Sequence, residues 1–184
     1  MNMYFGYKSI DLEDCEVIGK RNFAGEEIMK NNRTVNSAGR RNFLVAISDE
    51  QFDILKEKGW DVGRFAEVEP GVPGSCFLRI NVSYYKNPPI VHYIANGVDT
   101  LLDEGRLAML DRVNFERLDI RAAEVNKQKM DGSWVKKPFV LEMWATVTAD
   151  RFMSRYSYLN EHESANEAND EADDTTDEDL PFKA

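Results

Sequence analysis

The chain has little of what a disulfide scaffold or a membrane protein needs. It contains only two cysteines, Cys15 and Cys76, which are far apart in sequence. This suggests neither a disulfide framework nor a paired-cysteine metal site, and it fits a reducing environment. No apolar run approaches the roughly 18 residues of a membrane-spanning helix, and the N-terminus has no apolar signal segment. We therefore expect a cytoplasmic protein that is not exported and makes no membrane contact.

The motifs of the common enzyme classes are also missing. The sequence has no GxxxxGK[ST], no GxGxxG after a strand, no HExxH and no GxSxG. His92 and His162 are the only histidines, too few and too separated for a paired-histidine metal site. We expect a protein that is not an enzyme, with no catalytic residues, no metal and no cofactor. A metal-dependent nuclease stays as an alternative, because acidic residues are plentiful.

Those acidic residues are concentrated at one end of the chain. Residues 161–184 contain ten acidic residues and one lysine, a net charge of −9, and the whole chain carries −10. Residues 1–160 are therefore nearly neutral, with 23 acidic and 22 basic residues. The acidic segment has almost nothing to bury, which predicts disorder. We predict one domain over 1–160 and a disordered acidic tail over 161–184.

Several patterns in the first half predict secondary structure. Residues 28–40 are polar and predict a flexible cationic loop, and the strand that follows ends at Ile47. Ser48 and Gln51 form a capping-box pattern that opens a short helix ending at Gly59. From 76 to 85 polar and apolar residues alternate, as in a strand with one buried face: Leu78, Ile80, Val82 and Tyr84.

The second half predicts a long hairpin. Residues 90–95 predict a partner strand, and 100–113 predict a helix or two helical turns. Residues 115–148 predict two extended segments around the turn dipeptide Asp131-Gly132. In the second segment one face is predicted to hold Phe139, Leu141, Met143, Ala145 and Val147. A final helix is predicted over 150–160.

Cations and aromatic residues alternate in and beside these strands and loops. A protein that binds single-stranded nucleic acid needs cations along a groove and exposed aromatic rings on which bases stack. The candidate DNA-binding residues are Arg33, Arg40, Arg41, Arg79, Tyr85, Lys86, Lys127, Lys129, Trp134, Lys136, Lys137 and Trp144. The alternative is that the hairpin lysines are only solvated charges guarding a sheet edge. For Trp144, stacking on a base and packing inside the protein are equally compatible with the pattern. Core positions are expected for Trp60, Tyr84 and Tyr93.

The end of the tail carries the most specific pattern. Asp177, Glu178, Asp179, Leu180, Pro181 and Phe182 place two large apolar side chains directly after a run of acids. This resembles the C-terminal tip of bacterial and bacteriophage single-stranded DNA-binding proteins, in which such a tip docks on partner proteins. The resemblance implies partner binding by these six residues. It departs from the family pattern in that Lys183 and Ala184 follow Phe182, so docking is expected to be altered.

Together these features predict a fold and a function. The fold is mainly β, an OB-fold-like five-stranded barrel with a long β-hairpin and additional short helices; the barrel follows more from the resemblance than from the strand pattern. The function is a bacteriophage single-stranded DNA-binding protein acting in the host cytoplasm. It coats and protects DNA during replication, recombination or repair and recruits replication or recombination proteins through its tail. The alternative is an acidic interaction or DNA-mimic protein, and the residues leave open whether the chain forms a homo-oligomer.

Overall fold

The protein is mainly β, as predicted. A computed structural model describes residues 1–67 and 69–148; the predicted helix at 150–160, the domain boundary at 160 and the acidic tail lie outside them. Within these described residues, one α-helix, α1 (Asp49–Glu57), and one 3₁₀ helix (Leu107–Asp111) accompany the strands. The strands are β1 (Asn2–Gly6), β2 (Ser9–Glu13), β3 (Val17–Asn22), β4 (Ile28–Lys30), β5 (Arg33–Asn36), β6 (Arg41–Ile47), β7 (Val62–Arg64), β8 (Cys76–Val82), β9 (Ile90–Ala95), β10 (Val98–Leu101), β11 (Phe115–Gln128) and β12 (Trp134–Val147).

Five strand positions close into a barrel because β2 and β3 act as one bent strand. Before the bend β2 pairs with β11, and after it β3 pairs with β6. Backbone hydrogen bonds continue through the bend, from Cys15 N to Leu118 O (2.8 Å) and from Ala46 N to Glu16 O (2.9 Å). The circle continues from β6 to β8, then to β12 in parallel, and back through β11. This closure confirms the predicted OB-fold-like barrel.

Apolar side chains fill the barrel. Phe43, Leu78, Ile80, Ile120 and Met143 are almost fully buried. Burying each such side chain stabilises the fold by about 1.5–3 kcal/mol. The alternation predicted for the strand at 76–85 is therefore confirmed, although β8 itself ends at Val82.

The aromatic residues assigned to the core also lie there. Trp60 is 4% exposed, and Tyr84 and Tyr93 are partly buried against the core. Phe23 stacks on Phe43 with ring centroids 4.8 Å apart. These rings therefore pack in or against the core and are not exposed platforms for base stacking.

Helix α1 begins as its sequence predicts. The Ser48 side chain accepts a hydrogen bond from Gln51 N (3.1 Å), and the Gln51 side chain accepts one from Ser48 N (3.0 Å). This reciprocal capping box satisfies backbone donors that the first turn leaves free. Gly59 follows the helix with a positive φ of 82°, which favours glycine.

The helix predicted over 100–113 is wrong in its first half. Asn96 and Gly97, both with positive φ (51° and 77°), form a tight turn that returns the chain along β9. Thr100 and Leu101 then pair with Tyr93 and His92 in strand β10. Only Leu107–Asp111 is helical, as a 3₁₀ turn. Strand pairing thus overrides the local helical pattern.

A β-bulge changes the predicted face of β12. Arg121 pairs with Glu142 but Ala122 pairs with Val140, so Leu141 is the extra residue. Beyond the bulge Met143, Ala145 and Val147 are buried as predicted. Before it the alternation is inverted, so that Val140 is buried, Leu141 is exposed and Phe139 is only partly buried.

The remaining features concern single elements. Strand β9 pairs with β10 and, in parallel, with β12. The predicted loop 28–40 contains the short hairpin of β4 and β5.

Cys15 and Cys76 are free, buried thiols. Burial, reinforced by the negative charge of Asp119, raises the pKa of Cys15 to about 12. No helix within the described part of the chain is long and apolar enough to cross a membrane.

Candidate nucleic-acid interface

A cleft of about 400 Å³ opens on the outer surface of β6 and β8. Its floor holds Asn42, Arg79 and Asn81 from these two strands. One wall is the end of the segment between β3 and β6, and the other is the hairpin of β11 and β12. We call it the cation cleft; it is lined by Val35, Asn36, Gly39, Arg40, Arg41, Asn42, Arg79, Asn81, Val82, Ser83, Lys127, Gln128, Lys137 and Phe139. OB-fold barrels bind oligonucleotides on this strand face and between these two connections.

The cation cleft carries charge of one sign. Arg40, Arg41, Arg79, Lys127 and Lys137 line it, and none of its lining residues is a carboxylate. A second groove, on the outer surface of β2, β11 and β12, mixes arginines with acids: Asp11, Glu13, Arg117, Asp119 and Arg121. A third, near the bend between β2 and β3, contains Asp14, Glu16, Arg21 and Glu116. Of these three grooves, the cation cleft alone suits a polyanion.

The cations of the cleft differ in how far they are neutralised. Arg41 forms an ion pair with Glu104 (2.9 Å), and Lys137 forms one with Asp61 (3.2 Å). Arg40, Arg79 and Lys127 pair with no carboxylate of residues 1–67 and 69–148. These three side chains can therefore accept an anionic ligand without breaking an existing ion pair.

Arg41 also retains a free donor. Its Nε is buried and has no hydrogen-bond partner in the described part of the chain, although its guanidinium lies 5.7 Å from the Tyr84 ring. An unsatisfied buried donor costs about 1–3 kcal/mol. An acceptor supplied by a ligand would recover this cost.

Three asparagine side chains hold the first wall of the cleft against the barrel. Asn22 and Glu26 exchange two hydrogen bonds of 2.8 Å between the Asn22 amide and the Glu26 backbone. Asn36 Nδ2 donates to Arg40 O (2.7 Å), and Asn42 Nδ2 donates to Asn36 Oδ1 (2.9 Å). Asn22 and Asn36 are buried, so these bonds are shielded from water. They fix the backbone that carries Arg40 into the cleft.

Ion pairs hold the second wall. Lys129 and Lys137 both contact Asp61, at 2.9 and 3.2 Å, and Lys136 contacts Glu124 at 3.1 Å. Burial raises the pKa of Asp61, but the two ammonium groups outweigh burial and hold that pKa below its usual value. Backbone bonds from Asp61 N to Lys136 O and from Lys136 N to Gly59 O, both 2.9 Å, add to this contact. The hairpin is thus anchored beside the barrel.

Most of the predicted DNA-binding residues come together. Arg40, Arg41, Arg79, Lys127 and Lys137 line the cleft, and Tyr85 and Lys86 line a smaller pocket that adjoins it. Lys129 and Lys136 are in the ion pairs of the hairpin. Trp134 is 66% exposed at the hairpin end and pairs with Gln128, whereas Arg33 is exposed in β5.

Trp144 does not join this group. It lines the mixed-charge groove and stacks on His92, with ring centroids 5.6 Å apart and an angle of 11° between the rings. The structure therefore places it apart from the cation cleft. The predicted partner-binding residues, Asp177 to Phe182, lie outside the described residues.

Phe139 is the main candidate that the sequence pattern missed. The alternation of β12 assigns it to the core, but the bulge at Leu141 turns it to the outer surface, where it lines the cleft. Lys127 Nζ lies 5.9 Å from the centre of its ring. A ring beside a cation can stack on a base while the cation contacts the phosphate. No residue pattern marked the bulge.

The described residues offer no group of three or more His, Cys, Asp or Glu side chains placed to hold a metal ion. The cation cleft presents cations, amides, the Ser83 hydroxyl and one aromatic ring. Such groups bind a phosphate backbone and its bases.

A family model described as "Putative phage ssDNA-binding domain" matches residues 2–181. No curated protein matches. The single-stranded DNA-binding protein from bacteriophage Enc34 is similar at 8% identity and a TM-score of 0.46, covering 78% of this chain and 83% of that chain. The complex of that protein with ssDNA is also 8% identical with a TM-score of 0.46, and the match covers 78% of this chain and 88% of that chain. The C-terminal truncation of that protein is 8% identical with a TM-score of 0.44, and the match covers 78% of this chain and 87% of that chain.

Proposed function

Because the chain belongs to the phage ssDNA-binding domain family, we propose that it binds single-stranded DNA in the cation cleft. It coats and protects the strand during phage DNA replication, recombination or repair, in the host cytoplasm. The observation that carries this proposal is the cleft itself, which lies on the ligand-binding face of the barrel and is lined by five cations and no carboxylate.

The cleft supports binding by two kinds of contact. Arg40, Arg79 and Lys127 contact phosphates, which releases counterions and makes the affinity fall with salt. Phe139 in the cleft and Tyr85 beside it offer rings to bases, and each stacked base contributes about 1–3 kcal/mol. Phosphate contacts and stacking are available from every nucleotide, so we expect the interface to bind strands of different sequence.

Titration with oligo-dT tests this proposal. We expect the tryptophan fluorescence to be quenched mainly through Trp134, because Trp60 is buried and Trp144 lies on another surface. A plot of log affinity against log salt should have a slope between about −2 and −3.5, for three to five phosphate contacts on a single strand. The measurement is a fluorescence titration at several salt concentrations.

The Trp134→Phe variant serves as the control for this titration. It should lose most of the quenching while anisotropy of a labelled oligonucleotide still reports binding. No salt-dependent binding of oligo-dT by the intact chain, even in dilute buffer, would contradict the proposed function.

The acidic tip is proposed to recruit partner proteins. Phe182 acts as an anchor that fills a partner's pocket, and the acids before it steer the tip toward a basic rim. We expect Phe182→Ala to abolish capture of replication proteins from infected-cell extract while oligo-dT affinity is unchanged. The measurement is a pull-down with immobilised protein, with Lys183→Ala as the matched variant that keeps the tip. Partners retained by Phe182→Ala would show that another element docks them.

The tail is also proposed to compete with DNA. Residues 161–184 carry −9, and tethering gives them an effective concentration on the order of millimolar near a cationic site. Deleting 161–184 should therefore tighten oligo-dT binding about tenfold at low salt, with a smaller effect at high salt, where charges are screened. The measurement is the affinity of the deletion variant across a salt series.

A full-length variant separates charge from chain length. Its ten acidic residues within 161–179 are replaced by the corresponding amides. Competition by charge predicts that this variant binds as tightly as the deletion. Equal affinities for the deletion and the intact chain at low salt would exclude competition.

A further inference from the structure

A small apolar pocket continues the cation cleft along the hairpin. Its volume is about 230 Å³, and it shares Ser83, Lys127 and Phe139 with the cleft. The other residues that line it are Tyr85, Lys86, Asn87, Ala123, Val125, Val140 and Leu141. Phe139 and Lys127 therefore stand between the two cavities, so that a ligand in the cleft can extend into this pocket.

The β-bulge in β12 creates the apolar character of the pocket. Leu141 is the unpaired residue of the bulge and is 39% exposed, although most leucines of the described chain are buried. On the neighbouring strand Ala123 pairs with Phe139 and Val125 pairs with Lys137. Their side chains share the outer surface of the hairpin with Leu141. The bulge thus brings an apolar stripe to the side of the cleft.

The other side of the pocket is formed by an exposed aromatic ring. Tyr85 follows β8 and is 86% exposed. Lys86 Nζ lies 5.8 Å from the Tyr85 ring, as Lys127 Nζ lies 5.9 Å from the Phe139 ring. Each ring of the pocket therefore has a cation beside it. This arrangement accommodates a flat apolar group between the rings and anionic groups at the rim.

The size of the pocket limits its occupant. Sites for drug-sized ligands begin at roughly 300 Å³, and this pocket is smaller, so it admits one nucleobase but not a folded segment. Apart from its two lysines and the Tyr85 hydroxyl, its polar side chains are Ser83 and Asn87, and none of its lining residues is a carboxylate. Contact with the flat face of a base, which every base offers, suits these walls better than readout of base edges.

From this geometry we infer that the pocket between Tyr85, Phe139 and Leu141 holds one unstacked base of the strand that lies in the cation cleft. The inference rests on the proposed function and deepens it. The phosphates beside this base lie at Lys86 and Lys127, so the strand leaves the cleft along the outer surface of the hairpin. Double-stranded DNA cannot place a base in the pocket without unpairing it, so the pocket favours single strands.

An abasic scan of the ligand tests the pocket. The shortest oligo-dT that binds the full chain with undiminished affinity is made with one abasic site at each position in turn. One position, at the end of the strand that leaves the cleft, should weaken binding about tenfold more than the others. In the Leu141→Ser variant the intact oligonucleotide should bind about tenfold more weakly, and the extra penalty at that position should disappear.

Leu101→Ser is the matched control. Leu101 is 57% exposed in β10 and lines neither cavity, so this variant should keep both the affinity and the position-specific penalty. Salt-dependent binding without a position-specific penalty, or a penalty retained in Leu141→Ser, overturns the base pocket and leaves the proposed function standing. Absence of salt-dependent binding by the intact chain overturns both.

Discussion

Replacing Arg40, Arg79 and Lys127 together by alanine is expected to lower the affinity for oligo-dT about a hundredfold at 0.1 M salt. Near 1 M salt the variant and the intact chain should bind equally. Each lost phosphate contact on a single strand reduces the salt slope by about 0.7, so three contacts reduce it by about 2. These three cations line the cleft and form no ion pair within the described residues. Their loss therefore leaves no buried carboxylate unpaired, and the fold should be kept. The measurement is oligo-dT affinity across a salt series.

A second triple variant controls for net charge. Lys20, Lys58 and Arg112 are exposed and line none of the three grooves. Replacing them by alanine changes the net charge equally but should leave the salt slope almost unchanged. An equal loss of affinity in both variants would mean that overall charge, rather than the cation cleft, attracts DNA.

Phe139→Ala is expected to weaken oligo-dT binding by a different mechanism. Loss of one stacked base costs about 1–3 kcal/mol, which is roughly 5- to 150-fold in affinity. Because no charge is removed, the salt slope should stay the same while the whole line shifts to weaker binding. Phe139→Trp, which keeps a ring, should retain most of the affinity. The measurement is the same salt series, together with the melting temperature of each variant.

Phe5→Ala is the matched control for the loss of an aromatic ring. Phe5 is 42% exposed in β1 and does not line the cleft, so its loss should leave DNA affinity unchanged. If Phe139→Ala binds oligo-dT as tightly as the intact chain, Phe139 only packs against the hairpin. The two predictions separate phosphate contacts, seen in the slope, from stacking, seen at constant slope.

Local patterns predicted those elements whose cause lies within a few residues. The Ser48 and Gln51 side chains cap α1 regardless of what surrounds the helix. Asp131-Gly132 forms the turn of the β11–β12 hairpin, and Gly132 has the positive φ of 83° that such turns require. In β8 the predicted alternation of Leu78 and Ile80 with Arg79 is present in the structure, because one strand face is buried and the other faces solvent.

Other elements depend on distant partners and escaped prediction. Strands β2 and β3 pair with β11 and β6, which lie far along the chain. The β9–β10 hairpin is instead local: Thr100 and Leu101 pair with β9 across the Asn96-Gly97 turn, a sequence signal that the predicted helix left unused. The bulge at Leu141 arises from the register between β11 and β12. That register determines the outward position of Phe139, which is the reason the sequence pattern assigned it to the core.

The candidate site divides in the same way. The sequence by itself determined the separation of charge between a nearly neutral body and an acidic end, the acidic-apolar tip, and the identity of most cations, because composition and short motifs need no folding. Only the tertiary structure decided that Arg40, Arg79 and Lys127 meet in one cleft and that Trp144 lies elsewhere. Barrel closure brings distant strands together, and a shift of one residue in register reverses the face on which a side chain lies.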